Sequence, residues 1–546
     1  MNLTMYLLEN LLYRLRRHKL LIAIATLSSI LIFQSPTHPA EEIKLNLSIL
    51  EFKIEVADLE MFAESGNISD RLNFYLKRIS PEQRQSFQEF LQQSYDVDPV
   101  FVYRFSRTSV GTKLLERLGD IVQIPENING FYGLRAAIVK AAAYPEGVNF
   151  INFLKSFPTD IKLNLKEVLQ LAKNINNSEK EVARFIDSLE STDSIGNKAI
   201  IDNIPDLATG GKYKIEQTTF KFYDSKRDRE TARPRRDRTI ITDFYLPQET
   251  IGNIPLIVVS NGLGAKRSRF AELATYLASY GFAVAVPEHP GTSHRRQQEF
   301  IEGLHKENFE ATDFIDRPLD ISFVLDRLTI INQNELNNKL DLENVGIFGY
   351  SIGGTTALSL AGADIDFTHL ERGCNDLDLT NISTLYQCRA LEITERKLSL
   401  ADNRIKAAFL FVPFGNILFG ESELKEVSIP MLWQVVDKDY LTSLTKEQLP
   451  AFEALNSEER YLLISENLPH TTATFSKQRS ATQQNESRIA RKYQNILSLV
   501  FFKKYLTDNS EYGDYLNDSL VKAIAEEPYR LHLVEDEVIQ SADERR

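Results

Sequence analysis

Ser351 stands in the run GYSIGG, positions 349 to 354, directly after the apolar stretch NVGIF and directly before the helix-forming TTALSLAG. Glycines around a serine where a strand turns into a helix are the setting of a nucleophile: small neighbours let strand and helix approach, and the turn exposes the hydroxyl. The helix that starts there also directs its first N–H groups and the positive end of its dipole at the same point. A serine hydroxyl needs a base, and on such an elbow the chain order is serine, acid, histidine. Of the eight histidines, His369, His470 and His532 follow Ser351. His369 precedes every strand that offers an acid, and His532 falls in an expected C-terminal helix outside the sheet. His470 follows RYLLISEN, the last strand of the pattern, in a loop at the sheet's carboxyl edge, and is the expected base.

MLWQVVDKDYLT offers two acids, Asp437 and Asp439. The acid has to orient the imidazole and stabilise the imidazolium, so it belongs at the strand's end facing His470. Two residues apart in an extended segment, both point the same way, and the turn decides. Asp439 opens a D-x-x-T turn with Thr442 and is favoured. Asp437 is the alternative acid, with Glu421 next after both. The oxyanion donors are expected to be the N–H of Ile352, just after the nucleophile, and that of Leu263 in the glycine-flanked loop SNGLG at 260 to 264. Together these groups amount to two-step acyl transfer through an acyl-enzyme, which requires neither a metal nor an organic cofactor.

Eight apolar runs must position this chemistry: KYKIEQTTFKFY, TIITDFYL, PLIVVSN, FAVAVPEH, NVGIFGYS, IKAAFLFVP, MLWQVVD and RYLLISEN. They alternate with helical segments from about 211 to 506, as in a mainly parallel sheet covered by helices on both faces. With the serine elbow inside it, the expected class is α/β, an α/β-hydrolase fold with an eight-stranded sheet. Residues 364–403 fall where this fold carries a lid, and residues 507–546 read as a C-terminal helical tail. Upstream, residues 41–205 form an expected helical N-terminal domain. Its opening IKLNLSILEFKIE alternates as a strand or hairpin, Ser80, Pro81 and Gln83 make a helix start, and stripes such as Leu114 to Val122 follow at helical spacing. Turn formers between about 190 and 211 mark the boundary.

Sixty-three Lys and Arg against 76 Asp and Glu leave a charge of -13, which repels a phosphate backbone and argues against nucleic acid as a partner. In residues 1–40, a basic flank precedes the apolar run from Leu20 to Phe33 and then polar QSPTHPAEE, as in a cleaved signal peptide. The run reaches about 21 Å as a helix, short of a roughly 30 Å hydrocarbon slab. A retained N-terminal anchor, holding the protein at a membrane surface, is the other reading. Either way an extracytoplasmic or periplasmic location is expected. There Cys374 and Cys388, the two cysteines of the chain, suit a disulfide closing a short loop.

The second half resembles the plasma-type platelet-activating-factor acetylhydrolases and the related dienelactone hydrolases, through SNGLGAKR at the oxyanion loop, PEHPGTS at the next strand end and GYSIGGTT at the elbow. The resemblance implies Ser351 as nucleophile, His470 as base, and Leu263 and Ile352 as oxyanion donors. The acetylhydrolase acid follows the sixth strand, where FLFVPFGNILF has Val412 and Pro413 and no acid, so the acid moves to the next strand. Over nearly its whole length the chain looks like a group of cyanobacterial α/β-hydrolases with an export signal and a helical N-terminal domain, matched by DLEMFAESGNIS, LNFYLKRISPEQR and NGFYGLRAA. The expected substrate is a carboxylic ester, short-chain or lipid-derived. Two other readings stand beside it. One is a serine peptidase that holds a substrate terminus with Arg295 or Arg296. The other is a non-catalytic envelope protein whose helical domain recruits a partner that the sequence does not identify.

Overall fold

The computed structural model describes residues 39–47, 50–190, 207–225, 227, 238–250, 252–375, 377–396, 399–470, 481–507, 512 and 515–534. The export or anchor segment before residue 39 and the turn-rich stretch 191–206 lie outside them. Alternation of Ile43 and Leu45 with Lys44 produces an antiparallel hairpin of β1 (Glu42–Leu47) and β2 (Leu50–Glu55), with Ile43 and Leu45 buried. Helices α1 (Val56–Ser65), α2 (Asp70–Leu76), α3 (Pro81–Gln92), α4 (Pro99–Phe105), α5 (Ser109–Ile121), α6 (Phe131–Ala141) and α7 (Phe150–Ser156) follow. At the start of α3 the Ser80 hydroxyl accepts the Gln83 N–H and the Gln83 side chain accepts the Ser80 N–H, a capping box that satisfies two groups no helix bond reaches. Apolar faces of these helices close over Phe62, Leu91, Leu134, Leu154 and Phe157.

This first module is less helical than expected. Among the described residues β3 (Val122–Ile124), β4 (Ile128–Asn129) and β5 (Ile161–Leu163) join the hairpin in a five-stranded sheet, ordered β2-β1-β5-β3-β4. Strands this short carry no visible period of two. Val122, expected to end a helical stripe, instead opens β3. A single helix, α8 (Leu165–Glu190), closes the module. Through α8 the module joins the rest of the protein: Val182, Phe185, Ile186 and Leu189 enter the same core as the large sheet, and Tyr440 donates its hydroxyl to Glu179 at 3.0 Å.

The large sheet comprises β6 (Ile215–Asp224), β7 (Arg238–Pro247), β8 (Ile254–Ser260), β9 (Ala283–Pro287), β10 (Leu340–Tyr350), β11 (Ile405–Phe411), β12 (Met431–Val436), β13 (Arg460–Ser465) and β14 (Leu531–Val534). Their order is β14-β13-β12-β11-β10-β8-β9-β7-β6. The six from β13 to β9 run parallel, and β6, β7 and β14 pair antiparallel. Parallel strands are covered on both faces and so read as unbroken apolar runs, and β9 and β12 are buried at every residue. The covering helices are α9 (Ala271–Ser279), α10 (His294–Glu302), α11 (Asp313–Asn334), α12 (Ile352–Leu360), α13 (Phe367–Gly373), α14 (Ser383–Gln387), α15 (Asn416–Leu424), α16 (Leu449–Glu453), α17 (Ala481–Leu506) and α18 (Asp518–Ile524). Gly346 and Gly349, on opposite faces of β10, lie against Phe502 of α17 and the backbone of α12, so these helices cover opposite sides of the nucleophile strand.

Two expectations fail at the carboxyl end. The sheet has nine described strands rather than eight, and the segment expected as a helical tail holds α18 but then β14. His532 therefore lies in an edge strand opposite Ile464, with its Nε2 2.7 Å from Glu466, and not in a helix. A four-residue strand, LHLV, is too brief to show its type by pattern alone. Among the described residues no helix is long and apolar enough to cross a membrane.

Between α12 and β11 the chain forms α13, α14 and a short 3₁₀ turn, closed by a disulfide between Cys374 and Cys388. Ile382, Ser383, Leu385 and Tyr386 are buried there, so the segment is a packed wall over the site. Replacing both cysteines by serine should lower unfolding free energy by about 3 kcal/mol, the chain-entropy value for a loop of this length. Denaturant titration under oxidising conditions checks this, and equal midpoints for variant and wild type would deny the bridge a stabilising role.

Candidate active site

Strand β10 runs into the core and stops at Tyr350. The next residue, Ser351, takes φ 53° and ψ −121°, a backbone that L-residues rarely adopt, and α12 starts one residue later. Only glycine fits the tight return. A Cβ on Gly353 would lie 2.0 Å from the Ser260 carbonyl oxygen, so the elbow helix is seated directly on the end of β8. Ser351 itself is 2 % exposed.

At the end of β12 the chain turns through Asp439 to Thr442. The Oδ1 of Asp439 accepts the N–H groups of Leu441 (2.8 Å) and Thr442 (2.9 Å), and its Oδ2 accepts the Thr442 hydroxyl at 2.5 Å. The same Oδ2 lies 2.5 Å from His470 Nδ1, and His470 Nε2 lies 3.3 Å from Ser351 Oγ. A carboxylate accepts, so Nδ1 carries the proton and Nε2 is free to accept the serine's. His470 is fully buried, and the Tyr350 hydroxyl donates to its carbonyl at 3.1 Å, which ties the histidine loop back to the elbow. The sequence-expected serine, histidine and Asp439 thus form one hydrogen-bonded chain. Asp437 does not join it: its Oδ1 accepts the Asn467 N–H at 2.9 Å. Glu421 sits exposed on α15, paired with Lys425.

Ile352 and Leu263 both line the cavity that holds Ser351, together with Ser383, Tyr386, Phe414 and Leu441. As first residue of α12, Ile352 has an N–H with no acceptor inside its helix. The cavity is narrow and its walls are mostly apolar. Leu263 follows Gly262, where a Cβ would press to 2.8 Å from the Tyr350 ring, so glycine is needed for the loop to lie over the elbow.

Beneath that loop lies a buried polar cluster that the sequence reading did not foresee. Arg317 of α11 donates to the Asn261 carbonyl, to Ser260 Oγ (3.1 Å), to the Thr292 hydroxyl and to Thr356 Oγ1 (3.0 Å), so one guanidinium joins the oxyanion loop, the PEHPGTS loop and α12. Ser260 Oγ in turn meets His289 Nε2 (3.1 Å), and His289 Nδ1 meets Asp320 Oδ2 (3.0 Å). Burial, reinforced by the Arg317 charge, pushes His289 down to about 3, so it is a neutral imidazole at physiological pH. Burial also draws Arg317 down to about 10, against the pull of Asp313 and Asp320. For Asp320 burial alone would raise the carboxyl, but the Arg238 guanidinium and His289 hold it below the usual range. A signal for this cluster was present: Asp313, Arg317 and Asp320 recur at i, i+4 and i+7 amid apolar residues, a charged stripe on an inward helix face.

Of the two arginines suggested for a peptidase, Arg296 is buried and Arg295 is exposed. Arg296 donates to Glu310 and to the Glu307 carbonyl, and exposed Arg295 faces Glu299 at 3.7 Å.

Residues 39–164 match the family described as "Alpha/beta hydrolase of unknown function (DUF1400)", and residues 244–316 match "Platelet-activating factor acetylhydrolase, isoform II". A platelet-activating factor acetylhydrolase of Cavia porcellus is 29 % identical over 151 residues, covering 22 % of this chain and 35 % of that protein. The chain thus spans about a third of the length of that relative. The two family matches stop short of Ser351, so the serine, histidine and aspartate rest on their own geometry. In sheet order, elbow and sequence, the chain is a protein of the α/β-hydrolase fold whose second half is similar to platelet-activating factor acetylhydrolase.

Proposed function

We propose that this protein is a serine hydrolase of carboxylic esters, with Ser351 as nucleophile, His470 as general base, Asp439 as the orienting acid, and the N–H groups of Leu263 and Ile352 as oxyanion donors. The observation that carries the reading is the hydrogen-bonded chain from Asp439 Oδ2 through His470 to Ser351 Oγ, set on a strained elbow beside a cavity. In the first half-reaction Ser351 Oγ attacks the ester carbonyl carbon while its proton passes to His470 Nε2. The carbonyl oxygen takes the negative charge, and each N–H aimed at it contributes about 2.7 to 4 kcal/mol. Collapse of the tetrahedral species expels the alcohol, which takes the proton from His470. Water then attacks the acyl-enzyme, with His470 again as base, and the acid departs. Asp439 keeps the imidazole in the productive tautomer throughout.

An extracytoplasmic site of action accords with the Cys374–Cys388 bridge, since such bonds persist in oxidising compartments. The small apolar cavity favours short or lipid-derived acyl groups, in keeping with the named activity of the Cavia porcellus relative.

Ser351→Ala should abolish labelling by a fluorophosphonate probe and lower ester turnover by roughly a million-fold. Persistent labelling would move the nucleophile elsewhere. Asp439→Asn, which leaves a hydrogen-bonding group but favours the wrong tautomer, should slow turnover by about ten-thousand-fold, while Asp437→Asn costs little. Steady-state kinetics on the two variants decides between them, and the reverse ranking would transfer the acid's role to Asp437.

A further inference from the structure

The cavity beside Ser351 has walls of Leu263, Ile352, Phe414 and Leu441 and two other polar side chains, Ser383 and Tyr386. Ser383 is already engaged. Its hydroxyl lies 2.9 Å from Asn381 Oδ1 and 3.1 Å from Glu447 Oε2, and it accepts from Gln387 Nε2. Tyr386 is different: its ring stacks on Phe309 with centroids 5.7 Å apart, and its buried hydroxyl has no hydrogen-bond partner among the described residues. Buried hydroxyls are nearly always bonded, and an unmade bond is costly, so one left over in the wall of a catalytic cavity points to a ligand.

The neighbourhood also restricts what that ligand can be. Arg389, which lies over the Phe309 ring, is held by Glu392, Glu307 and the Phe309 carbonyl, so it has no call on a substrate anion. Apolar walls would strip a charged group of water without return. Burial pushes the Tyr386 phenol well above its ordinary value, so it stays protonated and can donate. The portion of an ester that remains on Ser351 after the alcohol leaves is the acyl group, and so narrow and apolar a cavity suits a compact one.

We infer that Tyr386 is a specificity-determining residue, its hydroxyl donating to a neutral oxygen on the substrate's acyl group a few atoms from the scissile carbonyl. The inference rests on the ester-hydrolase reading and adds the substrate class: compact acyl esters bearing a hydroxyl, keto or ether oxygen, preferred over aliphatic esters of the same length.

The test compares wild type with Tyr386→Phe on para-nitrophenyl esters of butyrate, methoxyacetate, β-hydroxybutyrate and levulinate. Ratios to butyrate within each enzyme, compared between the two, cancel intrinsic reactivity. For at least one oxygen-bearing ester the variant should lose about tenfold or more in kcat/KM relative to butyrate, the effect of one buried hydrogen bond. Butyrate itself should be hydrolysed within about threefold of wild type, and the melting temperature should hold or rise, because a hydroxyl without a partner is removed. Equal losses across the series, unchanged ratios throughout, a melting temperature several degrees lower, or a labelled wild type that hydrolyses no oxygen-bearing ester would each overturn the assignment. Fluorophosphonate labelling of the same samples keeps the two readings apart: an unlabelled wild type sinks the serine-hydrolase reading, whereas labelled enzymes with unaltered selectivity remove only the role of Tyr386.

Discussion

A serine at φ 53° costs about 1 to 3 kcal/mol of backbone strain and persists only where its surroundings over-determine it. Here the Ser351 N–H is held by the Phe411 carbonyl at 3.0 Å, and its own carbonyl accepts the Gly354 N–H at 2.7 Å, so strand β11 and the first turn of α12 both grip the elbow. The helix can leave at that angle because Gly353 slides over the Ser260 carbonyl with no side chain between. Since Ser260 opens the loop that carries Leu263, nucleophile and oxyanion loop are fixed against each other by one contact. The acid turn and His470 are then brought up from the neighbouring strands β12 and β13, which run parallel to β10 with their carboxyl ends on the same side.

The fold contains the same three side-chain types twice. Ser260, His289 and Asp320 are hydrogen-bonded in the same order as Ser351, His470 and Asp439, at comparable distances. Environment separates their roles. Arg317 caps Ser260 Oγ and also grasps the loop backbone, which makes the first set a brace under the oxyanion loop. Ser351 borders a cavity, in which its hydroxyl can meet a carbonyl carbon. Such a densely hydrogen-bonded buried network is rigid, and a low local dielectric strengthens every bond in it. Rigidity is what an oxyanion site needs, because its donors must already be in place when charge develops.

Much of this was legible in the sequence because the chemistry lies at strand ends. Continuous apolar strands announced the parallel sheet, the glycines around Ser351 announced the elbow, and the D-x-x-T spacing favoured Asp439, whose Oδ1 indeed caps Leu441 and Thr442. What stayed hidden was decided by tertiary contact. β3, β4, β5 and β14 are two to four residues long and are strands only through the tertiary contacts that pair them with neighbours distant in sequence or across a turn. Tyr386 sits in a stretch without periodicity, and its orphaned hydroxyl can be recognised only when every neighbour has been placed. Glu447 is a similar case: its buried carboxylate accepts from Gly415, Asn416, Asn381, Ser383 and Gln387, binding the wall segment to the end of β11, yet its local sequence LTKEQ reads as an ordinary surface turn. Val412, where the acetylhydrolase resemblance would have placed an acid, is buried at φ 43°, an unusual backbone for a β-branched residue, and supplies no charge.

The claim on which the account turns is that Ser351, His470 and the two backbone donors act on one carbonyl carbon. A crystal structure of the protein treated with an alkyl boronic acid, a mimic of the tetrahedral species, tests it most directly. Boron should be bonded to Ser351 Oγ, with one boronate oxygen roughly 2.7 to 3.1 Å from the backbone nitrogens of both Leu263 and Ile352, and a second beside His470 Nε2. Boron on another residue, or a boronate whose oxygens all face away from those two nitrogens, would contradict the account.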